Sequence, residues 1–236
     1  MVMMIGEGIN NINIEFPKSV CDERKDIDSS TFKVYLIAIV KDPNGNIIQI
    51  HRQKSHSPTP NFIGLLLPLI WFNYNNISYT ITNTGGNTYS YEPQLAVSVA
   101  CISYPSTGTN CPTYLAMIQV GSGSQPNPST ATSLAAPISN GSGTGQLLYG
   151  AISIPSNITA SGSSTYFYIA QTYNNQSGGT INITEVGVIL NLYTSVSGAC
   201  STNAGQVLVW YDVLSSAISI PNGGSLTIYY TFMVNP

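Results

Sequence analysis

The order of apolar and polar residues along the chain predicts a protein built almost wholly from β-strands. From residue 75 onward, short runs rich in Val, Ile, Tyr and Thr alternate with turns of Gly, Asn, Ser and Pro. This pattern is typical of antiparallel strands. We expect strands at 77–82, 94–104, 114–120, 146–154, 164–173, 180–193, 206–213, 216–220 and 225–234. Short strands separated by turns, with no long helical period, predict an antiparallel β-sandwich or jelly roll.

The first 74 residues do not follow this pattern of short strands and turns. Residues 1–31 are polar and irregular, and we expect them to form an arm. Two apolar runs flank Asn44-Gly45, the strongest short hairpin signal, so residues 32–52 are predicted to be a β-hairpin. Pro60 opens an apolar stretch that predicts a short helix over 60–72. Later in the chain, the Gly- and Ser-rich stretch 121–145 is expected to be a long surface loop.

Charge is confined to the start of the chain. All seven Lys and Arg residues lie at or before Lys54, and the residues after it contain only three acids: Glu92, Glu185 and Asp212. We therefore expect a charged attachment region over 1–74 and a neutral body over 75–236. Because the phosphate backbone of nucleic acids is bound by Lys and Arg, the body is not expected to bind nucleic acid.

So few carboxylates also predict weak sensitivity to acid, since acid unfolding comes mostly from the protonation of carboxylates. A hot or acidic habitat fits this composition, although abundant Asn argues mildly against heat. The longest apolar run, residues 62–72, is shorter than a membrane span, and no signal peptide is recognisable.

The sequence offers little catalytic chemistry. A Ser-His-Asp triad would need His51 or His56, because the body contains no His. Glu185 and Asp212 could form the carboxylate pair of a glycosidase. We favour a structural role, in which each accepts backbone N–H bonds and ties a turn or strand end without a cation. No enzymatic activity, metal or cofactor is expected, and Glu92 is interpreted as a solvated loop acid.

Cysteine and asparagine residues suggest covalent modifications. Cys101 and Cys111 flank a turn and are candidates for a disulfide, whereas Cys21 and Cys200 are interpreted as free thiols or, alternatively, as a bridge from head to body. No Cys-x-x-Cys pair indicates zinc. Five sequons are candidates for glycosylation if the body is exposed outside a cell: Asn76, Asn140, Asn157, Asn175 and Asn182.

Two groups of motifs together resemble known proteins. The first is VKDPNGNIIQIHRQKSHS at 40–57, followed by Asn61-Phe62 and an apolar run. The second comprises YNNQSGGTINITEVG at 173–187, YDVLSS at 211–216 and IPNGGSLTIYY at 220–230. This arrangement resembles β-rich structural proteins of tailed phages and of viruses that infect thermophilic archaea. Similar sequences carry Arg before the motif Asp, where this chain has Tyr211, so an ion pair at Asp212 is not implied.

The resemblance implies a virion component: capsid, vertex, turret or tail. Such a protein is assembled in the host cytoplasm and then exposed outside the cell, in contact with copies of itself and with other virion proteins. We therefore expect the charged head to dock on the particle and the neutral body to project. The alternative is an extracellular adhesin or appendage protein that binds surface glycans, since Tyr, which offers a flat apolar face for sugars, is abundant.

Overall fold

The computed structural model describes residues 31–55, 57–63, 79–91, 116–154, 158–161, 164–196 and 199–235. These residues form an all-β protein of antiparallel sheets, which confirms the predicted fold class at the level of a β-sandwich. The strands are β1 (Thr31–Lys41), β2 (Ile47–Ser55), β3 (Tyr79–Thr82), β4 (Thr88–Tyr91), β5 (Ala116–Gly121), β6 (Leu148–Ser153), β7 (Thr159–Ser161), β8 (Ser164–Asn174), β9 (Ile181–Val196), β10 (Ala199–Ile220) and β11 (Ser225–Asn235).

The larger sheet, here called sheet A, has the strand order β2-β1-β11-β8-β6, with the short β7 also paired to β8. Strands β1 and β2 form the predicted hairpin around Asn44-Gly45, where Gly45 has a φ of 87°. Strand β1 pairs with β11 along its full length, from Thr31 opposite Asn235 to Lys41 opposite Ser225. The hairpin is therefore an integral part of the sheet.

This pairing changes the meaning of the charge boundary at Lys54. The expected division into an attachment region (1–74) and a separate body (75–236) does not match the described strands, because β1 lies between β2 and β11 in one sheet. The last basic residue, Lys54, lies on a strand of sheet A. The end of the charged stretch therefore marks one surface of the sandwich and not a domain boundary.

The smaller sheet, sheet B, has the strand order β10-β9-β5, and β3 and β4 form a separate two-stranded ribbon. The sequence predicts two strands at 206–213 and 216–220, but the structure has the single strand β10 with an irregular register between Val213 and Ile218. A bulge inserts unpaired residues without ending the strand, so residues 214–215, which were expected to separate two strands, lie within β10.

The main core lies between the two sheets. Alternate residues of β1 (Val34, Leu36, Ala38 and Val40) are buried against residues of β9 and β10 such as Val186, Val188 and Val209. Trp210 belongs to the same cluster, because the register shift between Leu208 and Trp210 turns two consecutive side chains to one face.

A second, smaller core lies on the other face of sheet B. Ala131 and Leu134 pack against Ile189, Leu208 and Tyr211, all of which are buried. The stretch 121–145 was expected to be a surface loop. That expectation is wrong for Ala131 and Leu134, which cover the outer face of sheet B, and for Ile138, which is buried in the main core.

Some predictions lie outside the described residues: the strand over 94–104, most of the helix over 60–72, and all of the arm over 1–31 except Thr31, which begins β1. Residues 60–63 are helical. Strands β4 and β7 were not predicted from the sequence, since each is only a few residues long.

Candidate functional site

Glu185 lies on β9 and is completely buried beneath the segment that covers sheet B. Its Oε1 accepts hydrogen bonds from the backbone N–H groups of Ala136 at 2.7 Å and Gly123 at 3.2 Å. Its Oε2 accepts from the N–H of Ala135 at 3.0 Å and from the hydroxyl of Tyr211 at 2.6 Å. Four donors thus surround one carboxylate, and this is what allows a carboxylate to be buried without a cation.

Two glycines leave the room that this carboxylate needs. A Cβ on Gly121 would lie 2.7 Å from the carbonyl oxygen of Ala136 and 2.8 Å from Cγ of Glu185. A Cβ on Gly123 would lie 2.9 Å from Oε1 of Glu185. A side chain at either position would therefore push the covering segment away from β9.

The electrostatics of the Glu185 site favour a neutral Tyr211. Burial and the hydrogen bond to Glu185 raise the pKa of Tyr211 well above its usual value of 10. The hydroxyl also accepts a bond from the N–H of Gln125 at 2.8 Å. The two side chains together fasten β9 and β10 to the segment 123–136.

Asp212 is buried on the opposite face of sheet B, where it faces sheet A. Its Oδ2 accepts hydrogen bonds from the hydroxyl of Ser55 and from the hydroxyl of Tyr230 at 2.9 Å. The indole N–H of Trp210 donates to the same Ser55 hydroxyl. Burial and the nearby carboxylate raise the pKa of Tyr230. Both of these donors to Asp212 are hydroxyl groups.

The structure does not bring the two acids together. Glu185 contacts the covering segment, whereas Asp212 contacts Ser55 of β2 and Tyr230 of β11. Their side chains extend from opposite faces of one sheet, so they do not form the carboxylate pair of a glycosidase. We interpret both as ties between layers of the sandwich.

Strand β2 shows a feature that sequence reasoning missed. Its polar residues Gln49, His51 and Gln53 point inward to β10, and its residues Ile48 and Ile50 point outward, where 53% and 44% of their surface is exposed. A sheet strand at the side of a core normally has the reverse arrangement, with apolar residues inward. In this inverted alternation of β2, polar side chains lie on the inward face and isoleucines lie on the outward face.

The inward glutamines pair with the free edge of β10. Gln53 donates to the carbonyl of Val213 at 3.1 Å and accepts from the N–H of Ser215 at 3.0 Å. Gln49 repeats the pattern with Ala217 and Ser219, at 3.0 and 3.1 Å. Each side-chain amide therefore replaces one peptide group of a missing strand and protects an edge that could otherwise pair with another chain.

His51 completes this inward row. Its two ring nitrogens lie 3.2 Å from the hydroxyl of Ser216 and 2.9 Å from Oε1 of Gln53. The residue is buried and joins β2 to the bulge of β10. His51 is thus part of the seam between the two sheets, and His56 lies outside the described residues.

The outward face of β1 and β2, here called the hairpin face, combines isoleucine with positive charge. Ile39 lies opposite Ile50, Ile37 opposite Arg52, and Tyr35 opposite Lys54. Lys33, Lys41, Arg52 and Lys54 are all the basic residues in the described part of the chain, and each belongs to these two strands. None of the four forms an ion pair with a described residue.

Asp42, at the hairpin turn, accepts bonds from Asn44 and Asn46, and its side-chain bond to Asn46 holds its pKa below the usual value.

Motif residues from distant parts of the sequence meet at the turn end of the hairpin. Asn175 accepts a backbone bond from Gly223 at 2.7 Å and donates one to Gly224 at 2.9 Å. A Cβ on Gly223 would lie 3.2 Å from Pro43. Turns near residues 43, 175 and 223 are therefore packed together at one end of the sandwich, although the first is more than a hundred residues from the other two in the sequence.

The same contacts decide which sequons can accept a glycan in the folded chain. The side chain of Asn175 is fully buried, and its nitrogen donates to the carbonyls of Gly179 and Ile220. Asn175 is therefore not a glycosylation site in the folded chain, because a glycosylated side-chain nitrogen could not donate both of these hydrogen bonds. Asn140 and Asn182 are exposed.

Other candidate residues carry no structural assignment. Asn76, Asn157, Glu92, Cys21, Cys101 and Cys111 lie outside the described residues, and Cys200 lies within β10 without a described side chain. In the described ranges, no group of three or more His, Cys, Asp or Glu side chains could hold a metal ion. The described residues also contain no helix long and apolar enough to cross a membrane.

Comparison with protein-family models, with curated proteins and with solved structures finds no match for this chain.

Proposed function

We propose that this chain is a structural virion protein that assembles through the hairpin face and displays the uncharged remainder of the sandwich. The observation that carries the proposal is the inverted alternation of β2. Ile48 and Ile50 point into solvent although an edge strand of a soluble monomer gains nothing by exposing them. Apolar patches rimmed by polar residues typically mark interaction surfaces.

Charge distribution supports the same surface. The four cations on the hairpin face lack ion-pair partners among the described residues, while the rest of the described surface contains no basic residue. Charged groups around an apolar contact contribute orientation and partner choice more than affinity. An uncharged body with one charged apolar face is what a subunit needs if it must bind neighbours in one orientation and avoid other contacts.

The two buried acids also fit a structural role. Glu185 and Asp212 hold layers of the sandwich together through hydrogen bonds. The resemblance to virion proteins rests on motif turns that meet at one end of the molecule, beside the hairpin face. As a virion component, the chain would be assembled in the host cytoplasm and exposed outside the cell.

Immunogold labelling tests this proposal. Antibodies raised against the purified chain are applied to particles and to cells from a culture that produces the protein. We expect gold on virus-like particles, at regular positions. Labelling of cell-surface appendages without labelled particles would favour the adhesin alternative, and labelling confined to the cell interior would contradict both.

A further inference from the structure

We propose that the hairpin face binds residues 7–16 of a neighbouring copy of this chain. The inference rests on the proposed assembly function and names the contact that would carry it. It starts from two properties of the face: the exposed isoleucines Ile48 and Ile50, and four cations that have no acidic partner among the described residues.

The charges exclude the simplest contact, in which the hairpin faces of two copies pack against each other. Such a contact would bring Arg52 and Lys54 of one copy close to the same residues of the other. Like charges brought together at an interface are unfavourable by several kcal/mol. The occupant must therefore be apolar and carry negative charge.

The chain itself contains a segment with this chemistry. Residues 7–16 read EGINNINIEF, with acids at Glu7 and Glu15, no basic residue, and isoleucines at 9, 12 and 14. Ile12, Ile14 and Phe16 alternate with polar residues, as in a strand that presents one apolar side. Acids complement the lysines and arginine, and the apolar side complements Ile48 and Ile50.

Chain length permits this contact. Residues 17–30 lie between the segment and the start of β1 at Thr31. Fourteen residues span up to roughly 45–50 Å when extended. This exceeds the length of β1 itself, about 36 Å at 3.3 Å per residue, so the segment can leave its own sandwich and reach an adjacent one.

The choice of a neighbour follows from the assembly role. A segment that covered its own hairpin face would leave no charged apolar surface for contact with other copies. Exchange of the segment between copies uses the same complementary groups and converts them into a subunit contact. Binding of an extended segment to a sheet is an established mode of protein recognition.

The test uses full-length variants that change one side of the contact each. The face variant carries Arg52→Glu and Lys54→Glu, and the segment variant carries Glu7→Lys and Glu15→Lys. A control variant, Ser142→Glu with Thr144→Glu, adds two carboxylates at exposed loop positions that lie beyond the segment covering sheet B. Sedimentation and light scattering measure the mass of each chain across a range of concentrations.

We expect the unmodified chain and the control variant to associate, and both single-side variants to associate at least ten-fold more weakly. An equimolar mixture of the face and segment variants should regain association, because the mixture pairs an intact segment with an intact face. Raising the salt concentration should weaken the contact, since exposed charges are screened.

Three results would overturn the inference. An unmodified chain that stays monomeric would show that the segment does not bind a neighbour. A segment variant that associates like the unmodified chain would show that another partner occupies the face. A mixture that fails to associate would exclude exchange between copies. If particles are gold-labelled and any of these results is also obtained, the virion proposal is supported and only the binding of residues 7–16 to the hairpin face is refuted.

Discussion

The outer faces of the two sheets differ in what covers them. On sheet B, Ile189, Leu208 and Tyr211 are buried beneath Ala131 and Leu134, and Glu185 fastens this covering segment through three backbone N–H groups. On sheet A, Ile48 and Ile50 of the hairpin face are exposed. The outer face of sheet B is thus covered by the chain itself (the closed face), whereas the hairpin face of sheet A is exposed and charged (the open face).

This difference separates stability from interaction. The closed face belongs to the hydrophobic core of the monomer, so its residues should affect unfolding. The open face contributes little to folding, since its isoleucines remain near half exposed, and its residues should affect association. Five predictions test the distinction, from the largest expected effect to the smallest.

Replacing Glu185 with alanine should destabilise the chain most. The change leaves the partly buried N–H groups of Ala135 and Ala136 and the buried hydroxyl of Tyr211 without their acceptor. A buried donor left without a partner costs about 1–3 kcal/mol, so we expect the three together to cost about 3–5 kcal/mol. Urea unfolding measures the loss. A change under about 1 kcal/mol would mean that the cover does not depend on this carboxylate.

Alkaline solution should lower the free energy of unfolding, because buried tyrosine hydroxyl groups resist deprotonation in the folded chain. Burial raises the pKa of Tyr149 to about 12 and that of Tyr173 well above 10. The unfolded chain therefore loses these protons first, so stability is complete below about pH 10 and falls between about pH 10 and 12, by up to ~1.4 kcal/mol per pH unit for each tyrosine. Urea midpoints and tyrosinate absorbance measured across this range test the prediction, and a midpoint that stays constant to pH 12 would contradict it.

Replacing Gly121 with alanine should lift the cover from sheet B. The new methyl group would meet the carbonyl of Ala136 and the side chain of Glu185, at a cost of about 2–3 kcal/mol. The matched control is Gly179→Ala, where a Cβ meets nothing within 4 Å. Equal unfolding midpoints for the two variants would show that close packing at Gly121 is not required.

Replacing Gln53 with leucine should weaken the seam between the sheets by about 2 kcal/mol. Two hydrogen bonds are lost, one of them partly buried and the other exposed, and the carbonyl of Val213 and the N–H of Ser215 lose their partner. Hydrogen exchange at the Ser215 amide should accelerate. Arg52→Leu, on the outward side of the same strand, is the control and should leave that amide unchanged; equal acceleration in both would point to general loosening of β2.

Replacing Ile50 with alanine should change the free energy of unfolding least, by no more than about 0.5 kcal/mol, because the side chain is exposed. The same substitution should weaken association of the chain. Unfolding and sedimentation measured on one preparation separate the two effects. A loss of stability comparable to that of Gln53→Leu would place Ile50 in the core and remove the distinction between the faces.

Periodicity was sufficient for much of the fold. Alternation in β1 and the Asn44-Gly45 turn predicted the hairpin, and the apolar run in β9 predicted a strand. Long-range pairing was not predictable, so the sequence did not indicate that β1 joins β11 or that the charge boundary at Lys54 crosses a sheet. The two strands expected at 206–213 and 216–220 are one strand, because a bulge after Val213 carries β10 across the expected gap.

The sites divide in the same way. The lack of nearby cations suggested a structural role for Glu185, and its bonds to backbone N–H groups are of the expected kind. The partners could not be identified, because Ala135, Ala136 and Gly123 offer only backbone groups, which no side-chain pattern reveals. The alternation of β2 is visible in the sequence as IIQIHRQK. Which of its residues face inward depends on β10, the strand packed beside it, and this could not be read from the sequence.

Lysine acetylation of isolated and assembled protein tests the central claim most directly. Lys33, Lys41 and Lys54 all belong to the hairpin strands, and no lysine follows them in the chain. Mass spectrometry of acetylated chain, taken from intact particles and from dilute purified protein, reports the accessibility of each lysine. We expect acetylation of Lys41 and Lys54 to be at least several-fold slower in particles than in dilute protein. Equal rates in the two states would contradict the hairpin face as the assembly surface.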